Sequence, residues 1–148
     1  MGKTEFLNVD LDVMSKRPLG RLVTAFGEDV FVLYCGRWGD RYSANFEVDS
    51  GHRQNANTLI RRFTRLIEKL EPHIRKLWDQ AESREFNIGV EAAHRARTFE
   101  LRLRPTTLKA VAQVNGTIAI TVYAPERIYK RAGPKRSRAR KKSSNQAL

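Results

Sequence analysis

Residues 99–125, FELRLRPTTLKAVAQVNGTIAITVYAP, read as strand, helix and strand, and they set the fold class for the chain. Phe99, Leu101 and Leu103 alternate with Glu100, Arg102 and Arg104, the period of a half-buried strand. Pro105 ends that strand, and Thr106 or Thr107 offers a side-chain oxygen to the unpaired N–H groups of a helix start. Leu108, Val111 and Ala112 follow at helical spacing, and Asn115-Gly116 tolerates the left-handed conformation that closes a helix. Ile118, Ile120 and Val122 then alternate with Thr117, Ala119, Thr121 and Tyr123 as a second strand, which Pro125 stops.

A similar unit lies 89 positions earlier. Leu19, Leu22, Val23 and Gly27 fall against Leu108, Val111, Ala112 and Gly116 and, after a one-residue deletion, Val30, Val32 and Tyr34 fall against Ile118, Ile120 and Val122. The pattern reads as an internal pseudo-repeat, by duplication or by convergence on one strand-helix-strand design. Ahead of the earlier unit, Leu7, Val9, Leu11 and Val13 alternate with Asn8, Asp10 and Asp12 as a first strand. The nearly unbroken apolar run Val30 to Cys35 predicts a central strand buried on both faces, with Cys35 as a buried structural thiol. Tyr42, Ala44, Phe46 and Val48 return as a third strand after the hairpin loop Gly36–Asp40. Leu59, Phe63, Leu66, Ile67, Leu70, Ile74, Leu77, Trp78 and Ala81 repeat every three or four residues, with Pro72 inside the stripe, so two helices or a sharp bend are expected. Phe86, Ile88 and Val90 give a fourth strand. The expected fold is α+β: a two-layer sandwich with a largely antiparallel sheet of about six strands, helices on one face, and a split βαβ or ferredoxin-like relation.

With 148 residues, the chain suffices for one domain, 1–126, followed by a tail, 127–148. Nine basic residues and no acidic one lie beyond Glu126, so of the net charge of +12 only +3 belongs to residues 1–126. The tail is expected to be disordered, since it has too few apolar residues to offset ordering entropy. One cysteine, no apolar run of membrane-spanning length and no apolar leader make a cytoplasmic location without membrane contact the simplest expectation.

Leu101, Leu103, Pro105, Thr107-Leu108, Gly116 and Ile120-Thr121-Val122-Tyr123-Ala124-Pro125 resemble a bacterial family of unknown function. Its domains pair an L-x-L strand with a P-x-T-L or P-T-T-L helix start and a final V/I-x-V-Y-A strand. The likeness extends more weakly to Asn8–Asp12 and Phe86–Val90, and leaves out the basic tail. The resemblance implies a fold and carries no catalytic residues; some relatives look like small accessory or immunity-type proteins.

Nothing in the sequence has a catalytic signature. Gly36 and Gly39 fit no phosphate-loop pattern, and His52, His73 and His94 lack metal-ligand spacing, so neither cofactor nor metal is expected. The tail residues Lys130, Arg131, Lys135, Arg136, Arg138, Arg140, Lys141 and Lys142 suit salt-sensitive phosphate contacts with nucleic acid. Arg61, Arg62, Arg65 and Lys69, continued by Arg75 and Lys76, extend that track on a helix or form its ordinary solvated face. Arg37, Trp38, Arg41 and Tyr42 suit stacking on bases or a protein hot spot. Asp10 and Asp12 share one strand face, where Asn45, Glu47, Glu91 and Glu100 could join them to meet a cation, share a proton or receive a basic peptide. The sequence expectation is therefore a non-enzymatic binding protein that contacts nucleic acid through its tail and helix face. The alternative is an immunity-type or accessory module that grips a protein with the polar sheet face and the Trp38 loop. An enzyme using the sheet-face acids ranks third, and the oligomeric state is left open.

Overall fold

The computed structural model describes residues 2–49, 51, 54–95 and 97–125. The tail cations Lys130 to Lys142 and His52 lie outside them. The chain runs β1 (Glu5–Ser15), α1 (Gly20–Phe26), a short 3-10 turn (Gly27–Asp29), β2 (Phe31–Trp38), β3 (Arg41–Glu47), α2 (Ala56–Glu68), α3 (Pro72–Asp79), β4 (Ser83–Glu91), α4 (Pro105–Gln113) and β5 (Thr117–Tyr123). The strands form one sheet in the order β2-β3-β1-β4-β5, antiparallel except for the parallel pair β4 and β5.

Alternation along the strands decides which face the helices cover. Val9, Leu11 and Val13 of β1, Ala44 and Phe46 of β3 and Phe86, Ile88 and Val90 of β4 are buried. Leu22 and Phe26 of α1, Leu59, Ile60, Phe63 and Ile67 of α2, and Ile74 and Trp78 of α3 complete that core. Phe26 meets Phe46 edge to face at 5.1 Å, and Phe63 meets Phe86 at 6.2 Å. The Trp78 indole N–H donates to the Val114 carbonyl at 2.8 Å, joining α3 to the end of α4.

The helix boundaries follow from local chemistry. Asn55 caps α2 by accepting the Thr58 N–H at 3.0 Å. Pro72 stands in the first turn of α3, where its missing donor costs nothing, and the apolar stripe is thereby split into two helices. After α4, Asn115 takes the left-handed conformation, φ 58°, while Gly116 N–H reaches back to the Val111 carbonyl at 2.9 Å. Gly116 is required by space, since a Cβ there would lie 2.5 Å from the Phe86 ring.

Three expectations are corrected. Val30 to Cys35 is no central strand: β2 is an edge, all of its residues from Phe31 to Cys35 are exposed, and Cys35 is therefore an exposed thiol. An apolar run predicted two covered faces, but nothing among the described residues packs outside β2. Phe99 to Arg104 forms no strand, leaving five rather than about six. Leu101 and Leu103 do pack inward, while the backbone bonds that a strand would give to a neighbour go to one side chain, Asn57 of α2. Its amide donates to the Arg102 carbonyl at 2.9 Å and accepts the Arg104 N–H at 2.8 Å and the Thr107 hydroxyl at 2.7 Å. The helix and strand aligned in the pseudo-repeat are present in both copies, as α1 with β2 and α4 with β5, each strand at an edge of the sheet; what is absent is the strand expected ahead of α4.

Gly116→Ala forces the new methyl against buried Phe86, and overpacking of this kind costs about 1–3 kcal/mol. Thermal unfolding followed by circular dichroism is expected to show the melting temperature lowered by several degrees, with Asn115→Gly close to wild type as the control.

Candidate functional site

The face of the sheet opposite the helices is uncovered, and it is acidic. The residues alternating with the core positions point there: Asn8, Asp10, Asp12 and Met14 of β1, Asn45 and Glu47 of β3, Glu85, Asn87 and Gly89 of β4, and Thr121 and Tyr123 of β5. Asp10 lies opposite Asn87, and Asp12 lies between Asn45 and Glu85. Lys and Arg are missing from these strand positions except for Arg41 at the start of β3, whose guanidinium is held by Glu82 at 2.7 Å and Asp40 at 2.8 Å.

A polar network ties the floor together. Asn45 donates to Asp12 at 2.7 Å, and Thr121 donates to Asn87 at 2.8 Å. Asp10 Oδ1 and Asn8 Oδ1 are buried with no hydrogen-bond partner. Burial, then the charge of Glu47 and a hydrogen bond shared with it, then the charge of Asp12, push the Asp10 carboxyl up to about 6. Two carboxylates side by side in a half-buried place do not both ionise readily. Among the described residues no three His, Cys, Asp or Glu side chains are placed to hold a metal ion.

Aromatic rings bound the floor at both edges of the sheet. On the β2 side, Trp38 is 65% exposed and its ring meets Tyr34 edge to face at 6.2 Å. Tyr34, Trp38, Asp12, Met14, Asn45 and Glu85 line one shallow groove. On the β5 side, Tyr123 lies across Gly89, where a Cβ would come 3.5 Å from its ring, beside a second hollow lined by Asn8, Asp10, Glu47 and Asn87. The distance from β2 to β5 is four strand spacings, about 19 Å.

The sequence-predicted residues divide among several places. Asp10, Asp12, Asn45 and Glu47 come together as expected from their alternation. Glu91 shares the open face but lies at the end of the sheet, opposite Glu5 and beside Tyr123, away from Asp10 and Asp12, while Glu100 is off the sheet, paired with Arg102 at 2.7 Å. Trp38 and Arg41 are a cross-strand pair on the open side, whereas Arg37 and Tyr42 pair on the helix-covered side, with the guanidinium 5.8 Å from the ring centre. The four do not form one cluster. On α2, Arg65 and Lys69 are exposed and Arg61 is half-buried, while Arg62 is committed to the Asp49 carbonyl and to Gln54 at 3.2 Å. Arg75 is likewise held, by Asp79 at 3.2 Å and the Gln113 carbonyl at 3.2 Å. Glu85, Asn87 and Tyr123 were missed as members of the site; the alternation of Phe86, Ile88 and Val90 already sends Glu85 and Asn87 outward.

For Asp10 the folded state binds its proton more tightly than the unfolded chain, whose carboxyl has the ordinary value of 3.8. The stability this proton confers is therefore complete below about pH 4, is lost as pH rises to about 6, and stays lost above. Asp10→Asn removes the penalty. Denaturant unfolding at several pH values is expected to show the variant gaining about 1–2 kcal/mol at pH 7, after discounting for solvent screening, and nothing at pH 4.

Comparison of the chain with protein-family models, with curated proteins and with solved structures gave no match.

Proposed function

We propose that this domain is a non-enzymatic binding module whose open sheet face receives a basic segment of a protein partner. The observation that carries this reading is the composition of that face: Asp10, Asp12, Glu47 and Glu85 on the floor, with Tyr34 and Trp38 at one rim and Tyr123 at the other. Lysine and arginine pair with carboxylates through their charged heads and lay their aliphatic stems and guanidinium planes on aromatic rings. A phosphate backbone would meet like charge here, so this face is unsuited to nucleic acid. The order β4-β1-β3-β2 supports a split βαβ relation of ferredoxin-like type, with β5 added beside β4.

A second reading has its own support in the nine basic residues of 127–142: the tail contacts nucleic acid electrostatically, while the domain binds its protein partner. Salt titration of binding to mixed DNA and RNA tests it. The full chain is expected to bind with a steep salt dependence that is lost when the chain ends at Glu126. Affinity retained by the shortened chain at about 0.15 M salt would instead point to exposed Arg65 and Lys69 on α2.

The main proposal is tested with the full chain and a lysine- and arginine-rich peptide. Of the two tryptophans, Trp78 is buried and Trp38 is exposed at the rim, so a fluorescence change that disappears in Trp38→Phe reports binding at this face. Glu47→Lys combined with Glu85→Lys is expected to weaken binding at least about tenfold and flatten its salt dependence. Affinity should also rise from pH 5 to pH 7 as Asp10 ionises. Unchanged affinity in the double variant refutes the proposal.

A further inference from the structure

The edge strand β2 is unprotected in a way that the sheet face does not explain. Phe31, Val32, Leu33, Tyr34 and Trp38 are between 41% and 65% exposed, and they lie on both faces of the strand. Its outer row of backbone N–H and C=O groups has no partner strand. Edge strands of soluble monomers are usually blunted by a charge or a proline, yet residues 30–36, VFVLYCG, contain neither. The irregularity between Val32 and Tyr34 and the charge of Arg37 near the end of the strand are the blunting features of β2.

The charges at the two ends of β2 identify what fits there. Glu28 and Asp29 precede the strand and Arg37 closes it, all exposed and in no ion pair among the described residues. Centred on Leu33, an antiparallel pair of identical strands brings Arg37 of one chain to the 3-10 turn that carries Glu28 and Asp29, just ahead of β2 of the other, twice. Parallel pairing would set like charge against like. We infer that β2 pairs antiparallel with β2 of a second copy of this chain, about a two-fold axis at Leu33. The other edge, β5, also exposes large apolar side chains, Ile120 at 62% and Val122 at 61%, but lacks the complementary ends: Asn115-Gly116 precedes it and Ala124-Pro125 follows.

The geometry of such a pair is fixed by the sheet. A two-fold axis between antiparallel edge strands is perpendicular to the sheet, so the ten strands become continuous and both helical layers lie on one side. The two acidic floors then share the other side, with the aromatic rims of Tyr34 and Trp38 along the middle. Interfaces of this kind are isologous and close after two copies. This inference stands independently of the basic-segment reading, because it concerns the edge of the sheet and needs no ligand.

Sedimentation of the full chain over about 1 to 100 µM is expected to show a monomer–dimer equilibrium. Leu33→Lys places a charge at the axis on an already exposed position, so the fold is retained by circular dichroism while the dimer weakens about 100-fold. Asp29→Arg and Arg37→Glu should each weaken the dimer, and the two together should restore it, which only antiparallel self-pairing at this register predicts. The inference is overturned by a chain that stays monomeric throughout, by a dimer indifferent to Leu33→Lys, or by swapped charges that fail to rescue. Assembly growing beyond two copies also overturns it, in favour of β2 adding to β5 of the next chain.

Discussion

The two-residue period of β1 is the constraint on which the rest of the molecule depends. β1 is the middle strand and borders both β3 and β4, so its side chains divide the core from the open face for the whole sheet. Val9, Leu11 and Val13 are removed from water, each stabilising by about 1.5–3 kcal/mol, while Asn8, Asp10, Asp12 and Met14 face the other way. A slip of one residue would exchange the two sets and drive two aspartates under the helices. The helices can therefore cover one face alone. The cross-chain contacts that fix them, Trp78 to Val114 and Asn57 to the 102–107 segment, all lie on that covered side.

Leaving one face open solves a packing problem and creates an electrostatic one. Side chains on the central strands of an open sheet are still partly shielded by their neighbours, so Asp10, flanked by Glu47 and Asp12, is half-buried beside like charges. An asparagine or threonine at position 10 would fit the same place without that cost, as Asn87 does on the neighbouring strand and Thr121 on the one beyond. The acidic floor is thus not what folding stability alone would select. A basic ligand would restore what the free domain lacks, and this links the least favourable feature of the fold to the proposed use of it.

Much of this was legible in the sequence, and the errors have physical causes. Alternation placed Asp10 and Asp12 on an open face, and the position of Pro72 divided the long apolar stripe into α2 and α3. The strand Val30 to Cys35 was misplaced because an apolar run records what a strand buries or presents without saying which. A strand at an edge that docks another chain has the same composition as one in the middle of a sheet. Phe99 to Arg104 was misread because alternation reports inward and outward packing only. Leu101 and Leu103 satisfy it against the helical layer, and no local signal announces that Asn57, more than 40 residues away, takes the backbone bonds. Glu85 and Asn87 were overlooked beside Asp12 and Asp10 for a similar reason, since their meeting depends on the register between β1 and β4.

Net charge was the least informative number in the sequence. A value of +3 for residues 1–126 describes a mildly basic body, yet that average combines an acidic sheet face with exposed Arg65 and Lys69 on the opposite layer. Segregated charge orients an approaching molecule even where the sum is small, because the field near each face is set by the groups on it. A cationic segment is drawn to one side of the domain and an anionic one to the other, and the tail adds its nine positive charges beyond residue 126. For the binding role proposed above, the distribution of carboxylates across β3, β1 and β4 therefore matters more than the overall basicity of the chain.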